Sequence, residues 1–106
     1  MTIELSAIRV EGRPERGQYV YDLPDGSRAV MDFFEQPPGI MTIDHTETPR
    51  SHRSQGIAGA LVSRAVQDFR AAGKKVIPAC PFAYRKFREH PEWSDVLLRD
   101  WGRQAR

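Results

Sequence analysis

Residues 39 to 79 carry three segments in an order that few folds accommodate. Gly39-Ile40-Met41-Thr42-Ile43-Asp44-His45-Thr46-Glu47-Thr48 alternates as a strand does. Downstream, Ala58, Leu61, Val62, Ala65, Val66 and Phe69 recur at the spacing of one helix face, which predicts a helix over about residues 55 to 72. Gly73 suits the C′ position that ends it, and Lys74 and Lys75 sit at its negative end. Val76 to Ala79 then reads as a short strand. Strand, helix and strand in that order form a right-handed crossover, so the second strand is expected parallel to the first. Where the helix begins stands Arg53-Ser54-Gln55-Gly56-Ile57-Ala58. The first N–H groups of a helix lack intrahelical acceptors and the macrodipole is positive there, so this junction can hold an anion such as a pyrophosphate. Gly56 permits close approach to the backbone, and Arg50, His52 and Arg53 add charge.

The remaining organisation follows from punctuation. Ile8 to Glu11, Gln18 to Leu23 and Arg28 to Phe34 are strand candidates, separated by turn chemistry at residues 12 to 17 and at Leu23-Pro24-Asp25-Gly26. With the strand from Gly39 they are expected to form an antiparallel meander. A second, shorter helix should follow Pro81 and end before Pro91. The expected class is α/β (α+β), one domain over residues 1 to 106, without repeats or low-complexity segments. Sixteen basic against fourteen acidic residues give a net charge of +2, too little to argue for nucleic acid. No apolar run approaches the roughly 18 residues of a membrane span, and no signal-like N-terminus is visible, so a cytoplasmic protein without membrane partners is expected. One cysteine and three histidines, far apart, give no metal-ligand spacing.

The loop resembles the Q/R-x-x-G-x-G/A signature of the GCN5-related N-acetyltransferases, with Arg53, Gly56 and Ala58 at the defined positions. The likeness extends to His45-Thr46-Glu47, to Lys75-Val76-Ile77-Pro78-Ala79-Cys80-Pro81-Phe82 and to His90-Pro91-Glu92-Trp93, and covers roughly residues 8 to 98. Together these resemble the small cysteine-containing branch of that superfamily. Gln18-Tyr19-Val20-Tyr21 and Phe33-Phe34 match no family function, and the tail from Trp101 to Arg106 has no counterpart.

The resemblance implies a compact fold that binds acetyl-CoA or CoA as cosubstrate without a metal. Thr46, Glu47, Thr48, Arg53, Ser54, Gln55, Gly56, Ile57, Ala58 and Gly59 would hold the cofactor. The implied reaction is acetyl transfer to an amine, small or macromolecular, either directly or through an acetyl-cysteine. Cys80, following the last strand and preceding Pro81, would stand beside the acetyl carbonyl, where a helix N-terminus favours negative charge on sulfur. His45 could accept the proton, and Tyr84, one turn on, could protonate the departing CoA thiolate. From the residues alone Cys80 also fits an inert buried position and Tyr84 a packing role. His52 reads as an exposed loop residue, and Phe82, Phe87, Trp93, Val96 and Leu97 read as cover over the sheet. A non-catalytic acyl-CoA-binding or sensing module would use the same cradle.

Overall fold

The computed structural model describes residues 3–98. Five strands form one sheet in chain order: β1 (Arg9–Arg13), β2 (Arg16–Asp22), β3 (Arg28–Glu35), β4 (Ile40–Glu47) and β5 (Lys75–Pro78). β1 to β4 pair antiparallel, and β5 pairs parallel to β4. α1 (Ile57–Ala71) is the crossover between β4 and β5, and α2 (Pro81–Glu89) follows β5. The meander and the crossover are those expected from the periodicities. Val76 N–H donates to Val96 O at 2.7 Å and Leu98 N–H to Val76 O at 2.9 Å, so residues 96 to 98 run along the outer edge of β5. The tail from Trp101 to Arg106 lies outside the described residues. No helix among the described residues is long and apolar enough to cross a membrane.

Two boundaries differ from the sequence reading for backbone reasons. The separator at residues 12 to 17 closes into a hairpin, in which Gly12 pairs with Gly17 and Arg13 with Arg16 around Pro14-Glu15. Glycine permits this, because a Cβ on Gly17 would stand 2.4 Å from the Glu11 carbonyl oxygen. The crossover helix begins at Ile57, not at residue 54 or 55, since Ser54 and Gly56 both have positive φ, at 70° and 81°. Its other end matches expectation. Gly73 N–H bonds to Arg70 O and Lys74 N–H to Phe69 O, the paired bonds of a Schellman stop.

α1 buries Ile57, Leu61, Val62, Ala65, Val66 and Phe69 in one cluster with Tyr19, Met31, Phe33, Met41 and Ile43 of the sheet. Within it Tyr19, Phe33 and Phe69 form an aromatic triangle with centroids 5.4, 5.6 and 6.0 Å apart. Truncating such a ring to alanine costs about 3–5 kcal/mol. Phe87, Trp93 and Val96 complete the core beneath α2, with Phe82 and Leu97 partly buried against it. A polar tie fixes α1 to the N-terminal segment: Arg64 donates to Asp68 at 3.0 Å and to the carbonyls of Leu5 and Ile8 at 3.0 and 2.5 Å. The Tyr19 hydroxyl reaches the same carboxylate at 2.9 Å.

The Tyr19 phenol therefore titrates above the ordinary tyrosine range, first because it is buried and second because it donates to Asp68. Above about pH 10 the unfolded chain sheds this proton while the folded chain keeps it, so folding stability must fall as pH rises. Tyr19→Phe should make that alkaline fall shallower in denaturant titrations from pH 8 to 11, at a cost of about 1 kcal/mol at neutral pH. Identical pH slopes for the two proteins would contradict this assignment.

Candidate functional site

The site is built where β4 and β5 separate. Their parallel pairing ends at Ile43 opposite Pro78, and the Ile43 carbonyl then accepts from both Ala79 N–H, at 2.9 Å, and Cys80 N–H, at 3.1 Å. At the same point β4 carries a bulge. Phe33 pairs with Ile43 and Asp32 with His45, which leaves Asp44 as an extra residue. From there to Glu47, β4 pairs only with β3, and its other edge is turned toward α2.

The bulge decides which side chain meets Cys80. Beyond it Thr46 lies opposite Met31, a core residue, and Thr46 Oγ1 comes within 3.9 Å of Cys80 Sγ. Successive strand residues face opposite ways, so His45 is directed to the other face. Its ring is 53% exposed and stands 3.5 Å from Glu47. The sulfur contacts are thus Thr46 and the Ala83 N–H, which donates to Sγ at 3.3 Å. The expected pairing of His45 with the thiol is replaced by Thr46, because one inserted residue shifts the alternation. Cys80 is only 7% exposed and serves as the N-cap of α2, with Pro81 at the first helical position.

A cleft of about 650 Å³ opens beside this junction. Its walls are His45, Thr46, Glu47 and Thr48 from β4 and its extension, then His52, Arg53, Ser54, Gly56, Ile57, Ala58 and Gly59 around the start of α1, and Phe82, Arg85 and Lys86 from α2. All the cofactor residues expected from sequence line it except Gln55, which is exposed. Gly56 is the N-cap of α1 and offers no side-chain cap, so the N–H groups of residues 57 to 59 remain for a ligand or solvent. A Cβ on Gly56 would meet nothing within 4 Å. Its glycine is required by the left-handed backbone, and the space around it is open. Arg53 Nε donates to Thr48 O at 3.3 Å, which joins the two sides of the loop.

Four residues of the cleft lining, Phe82, Arg85, Lys86 and His52, are not in the cofactor set expected from sequence. Phe82, Arg85 and Lys86 share one face of α2 by their i, i+3 and i, i+4 spacing, a signal available in the sequence once α2 is placed over the helix start. His52 is only 20% exposed and its Nε2 stands 3.0 Å from Asp25 Oδ2 in the β2–β3 turn, a pairing no local pattern announces. Tyr84, four residues after Cys80, is 40% exposed and does not line the cleft. Arg88 stands 5.9 Å above its ring. Among the described residues no group of three or more potential ligands could hold a metal ion.

Residues 18–96 match the family model described as GCN5-related N-acetyl-transferase. The chain belongs to this family. A GCN5-like protein from Staphylococcus aureus, solved by NMR, has the same fold at a TM-score of 0.60 with 20% sequence identity. The match covers 88% of this chain and 90% of that one. No curated protein matches the chain.

His52 and Asp25 tie the approach to α1 onto the β2–β3 turn. The Ser27 hydroxyl, then His52 and the Ser27 N–H, hold the Asp25 carboxyl well below the usual carboxylate range. That contribution is fully present above the unfolded value of about 3.9 and is lost as pH falls below it. Asp25→Asn should flatten the acid limb of the melting curve and speed amide exchange at residues 50 to 54. Unchanged exchange there would show that the turn does not brace the loop.

Proposed function

We propose that the chain is an acetyl-CoA-dependent N-acetyltransferase whose cofactor site is the cleft beside α1. The observation that carries this reading is the convergence on one cleft of Thr46, Glu47 and Thr48 with Arg53, Ser54, Gly56, Ile57, Ala58 and Gly59. The diphosphate of CoA fits the capless helix start, where Arg53 adds a charge-assisted donor. The pantetheine amides fit the edge of β4 beyond the bulge, whose backbone groups have no β5 partner. That path ends at Thr46, with the Cys80 sulfur directly behind.

An amine then attacks the acetyl carbonyl, the carbon–sulfur bond breaks, and CoA leaves as the thiolate. His45 lines the cleft with its exposed ring turned away from Cys80 and paired with Glu47, so it is suited to take the proton from an amine that approaches on that face. Direct transfer accords best with a sulfur that is 7% exposed and screened by Thr46. A covalent route would instead form an acetyl thioester on Cys80 before the amine attacks.

Titration calorimetry with acetyl-CoA in the presence of chelator tests the site. Binding without metal is expected, and Gly56→Val should weaken it by about tenfold or more, since a β-branched residue disfavours left-handed φ and fills the approach. Absence of heat with acetyl-CoA or CoA at millimolar concentration would remove the reading. Intact-mass measurement separates the routes, because Cys80 is the single thiol. Direct transfer predicts no acetyl adduct and amine acetylation that survives Cys80→Ala. An adduct labile to hydroxylamine and absent in Cys80→Ala would establish the covalent route. Binding without transfer to Cys80 or to any amine tested would instead support the non-catalytic sensing module.

His45→Ala should lower kcat about 10²-fold or more with acetyl-CoA affinity unchanged, the signature of a general base outside the cofactor contacts. Tyr84→Phe should leave both constants unchanged, as it stands outside the cleft lining. A large kcat loss in Tyr84→Phe would restore the thiolate-protonating role that the family resemblance implies.

A further inference from the structure

The cleft has a cationic wall opposite the helix start that the reading above leaves unused. Lys86 reaches from α2 over the first turn of α1: a Cβ on Gly59 would lie 3.5 Å from its Cε and 3.9 Å from its Nζ. Arg85 and Lys86 flank the Phe82 ring, at 5.4 and 5.6 Å from its centroid, and all three line the cleft. With Arg53 they set three permanent cations against one carboxylate, Glu47, on the cleft lining. Arg85 makes no ion pair among the described residues, and Lys86 pairs only with Glu89 of its own helix, at 3.2 Å. Such an exposed i, i+3 pair holds a lysine weakly, so a phosphate can displace it.

From this, and resting on the acetyl-CoA reading, we infer that Arg85 and Lys86 form the second jaw of a phosphate clamp, closing from α2 on the phosphate groups whose other side meets residues 57 to 59 and Arg53. CoA offers two such sources, the diphosphate and the 3′-phosphomonoester. Either is more strongly charged than any neutral part of the cofactor, and each phosphate contact is charge-assisted. The clamp also has a geometric consequence. The helix that supplies Lys86 is capped by Cys80, so phosphate contact and the placement of the sulfur belong to one element.

Calorimetric dissociation constants for acetyl-CoA, acetyl-dephospho-CoA and S-acetylpantetheine, measured on wild type, K86A, K86R, R85A and the double variant, test this. Lys86→Ala should weaken acetyl-CoA about tenfold, Lys86→Arg should restore most of the loss, and S-acetylpantetheine should bind all variants equally. An equal loss for acetyl-CoA and acetyl-dephospho-CoA assigns the contact to the diphosphate. A loss confined to acetyl-CoA assigns it to the 3′-phosphate. Tight wild-type binding of acetyl-CoA that is unchanged in K86A, R85A and the double variant overturns the clamp while leaving the acetyltransferase reading intact. Weakening of S-acetylpantetheine to the same degree would show a structural role and also overturn it. Absence of acetyl-CoA binding in the wild type removes both readings together.

Discussion

One carbonyl, that of Ile43, governs the working end of this fold. It accepts from Ala79 and Cys80 at once, where a continuing parallel ladder would have spaced those donors along successive residues of β4. The forked bond ends β5 and leaves the rest of β4 without a neighbour on that side. A strand edge inside a small domain is ordinarily a liability, and here it borders a cleft instead of open solvent. The same fork sets the backbone of Cys80 at the end of the sheet, so the residue that ends the pairing also caps α2. Divergence of the strands, location of the thiol and direction of α2 are thus consequences of a single interaction.

Rigidity of the opposite wall comes from the core. Six apolar residues of α1 are buried against the sheet, and Arg64 anchors its middle to the carbonyls of Leu5 and Ile8. A helix held this way presents the N–H groups of its first turn at a fixed position, whereas a helix attached only by its loops would let them wander. The Schellman stop at Gly73 fixes the other end and delivers the chain into β5. The uncovered side of the sheet is treated differently: Val20 is fully buried without belonging to the α1 core cluster, and Arg9, Glu11, Asp22 and Arg28 form a cross-strand lattice of ion pairs nearby. These pairs are exposed and contribute little individually.

Much of this was legible in the sequence because it depends on period. The alternation of residues 39 to 48, the helical stripe from Ala58 to Phe69 and the stop at Gly73 fix the crossover, and the loop at Gly56 falls where the crossover needs a turn. What period cannot reveal is a single inserted residue. Asp44 carries no mark of a bulge, yet it exchanges the faces of His45 and Thr46 and thereby changes the neighbour of Cys80. Nor could the helix start be placed to the residue, since a positive φ at Ser54 belongs to a residue type that seldom adopts it. The contacts of His52 with Asp25 and of Lys86 above Gly59 each span 27 residues of chain, and only the folded arrangement brings them together.

Small size also decides how the cleft is walled. The chain spends one short segment, residues 48 to 56, on loop structure near the site, so most of the enclosure must come from regular elements. α2 accordingly has two duties within nine residues: its N-terminus is capped by Cys80 and its exposed face supplies Phe82, Arg85 and Lys86 to the cleft. Its buried face, with Ala83 and Phe87, carries the packing, and Phe87 meets Trp93 edge-on at 5.2 Å. A helix this short is marginal alone and takes its stability from that packing. Loss of the Phe87–Trp93 contact would therefore loosen the cationic wall and the Cys80 cap together, although neither residue touches the cleft. Coupling of this kind follows from economy: where one helix bears the cationic side chains of the cleft and is capped by the thiol, any force on its C-terminal half is felt at its N-terminus.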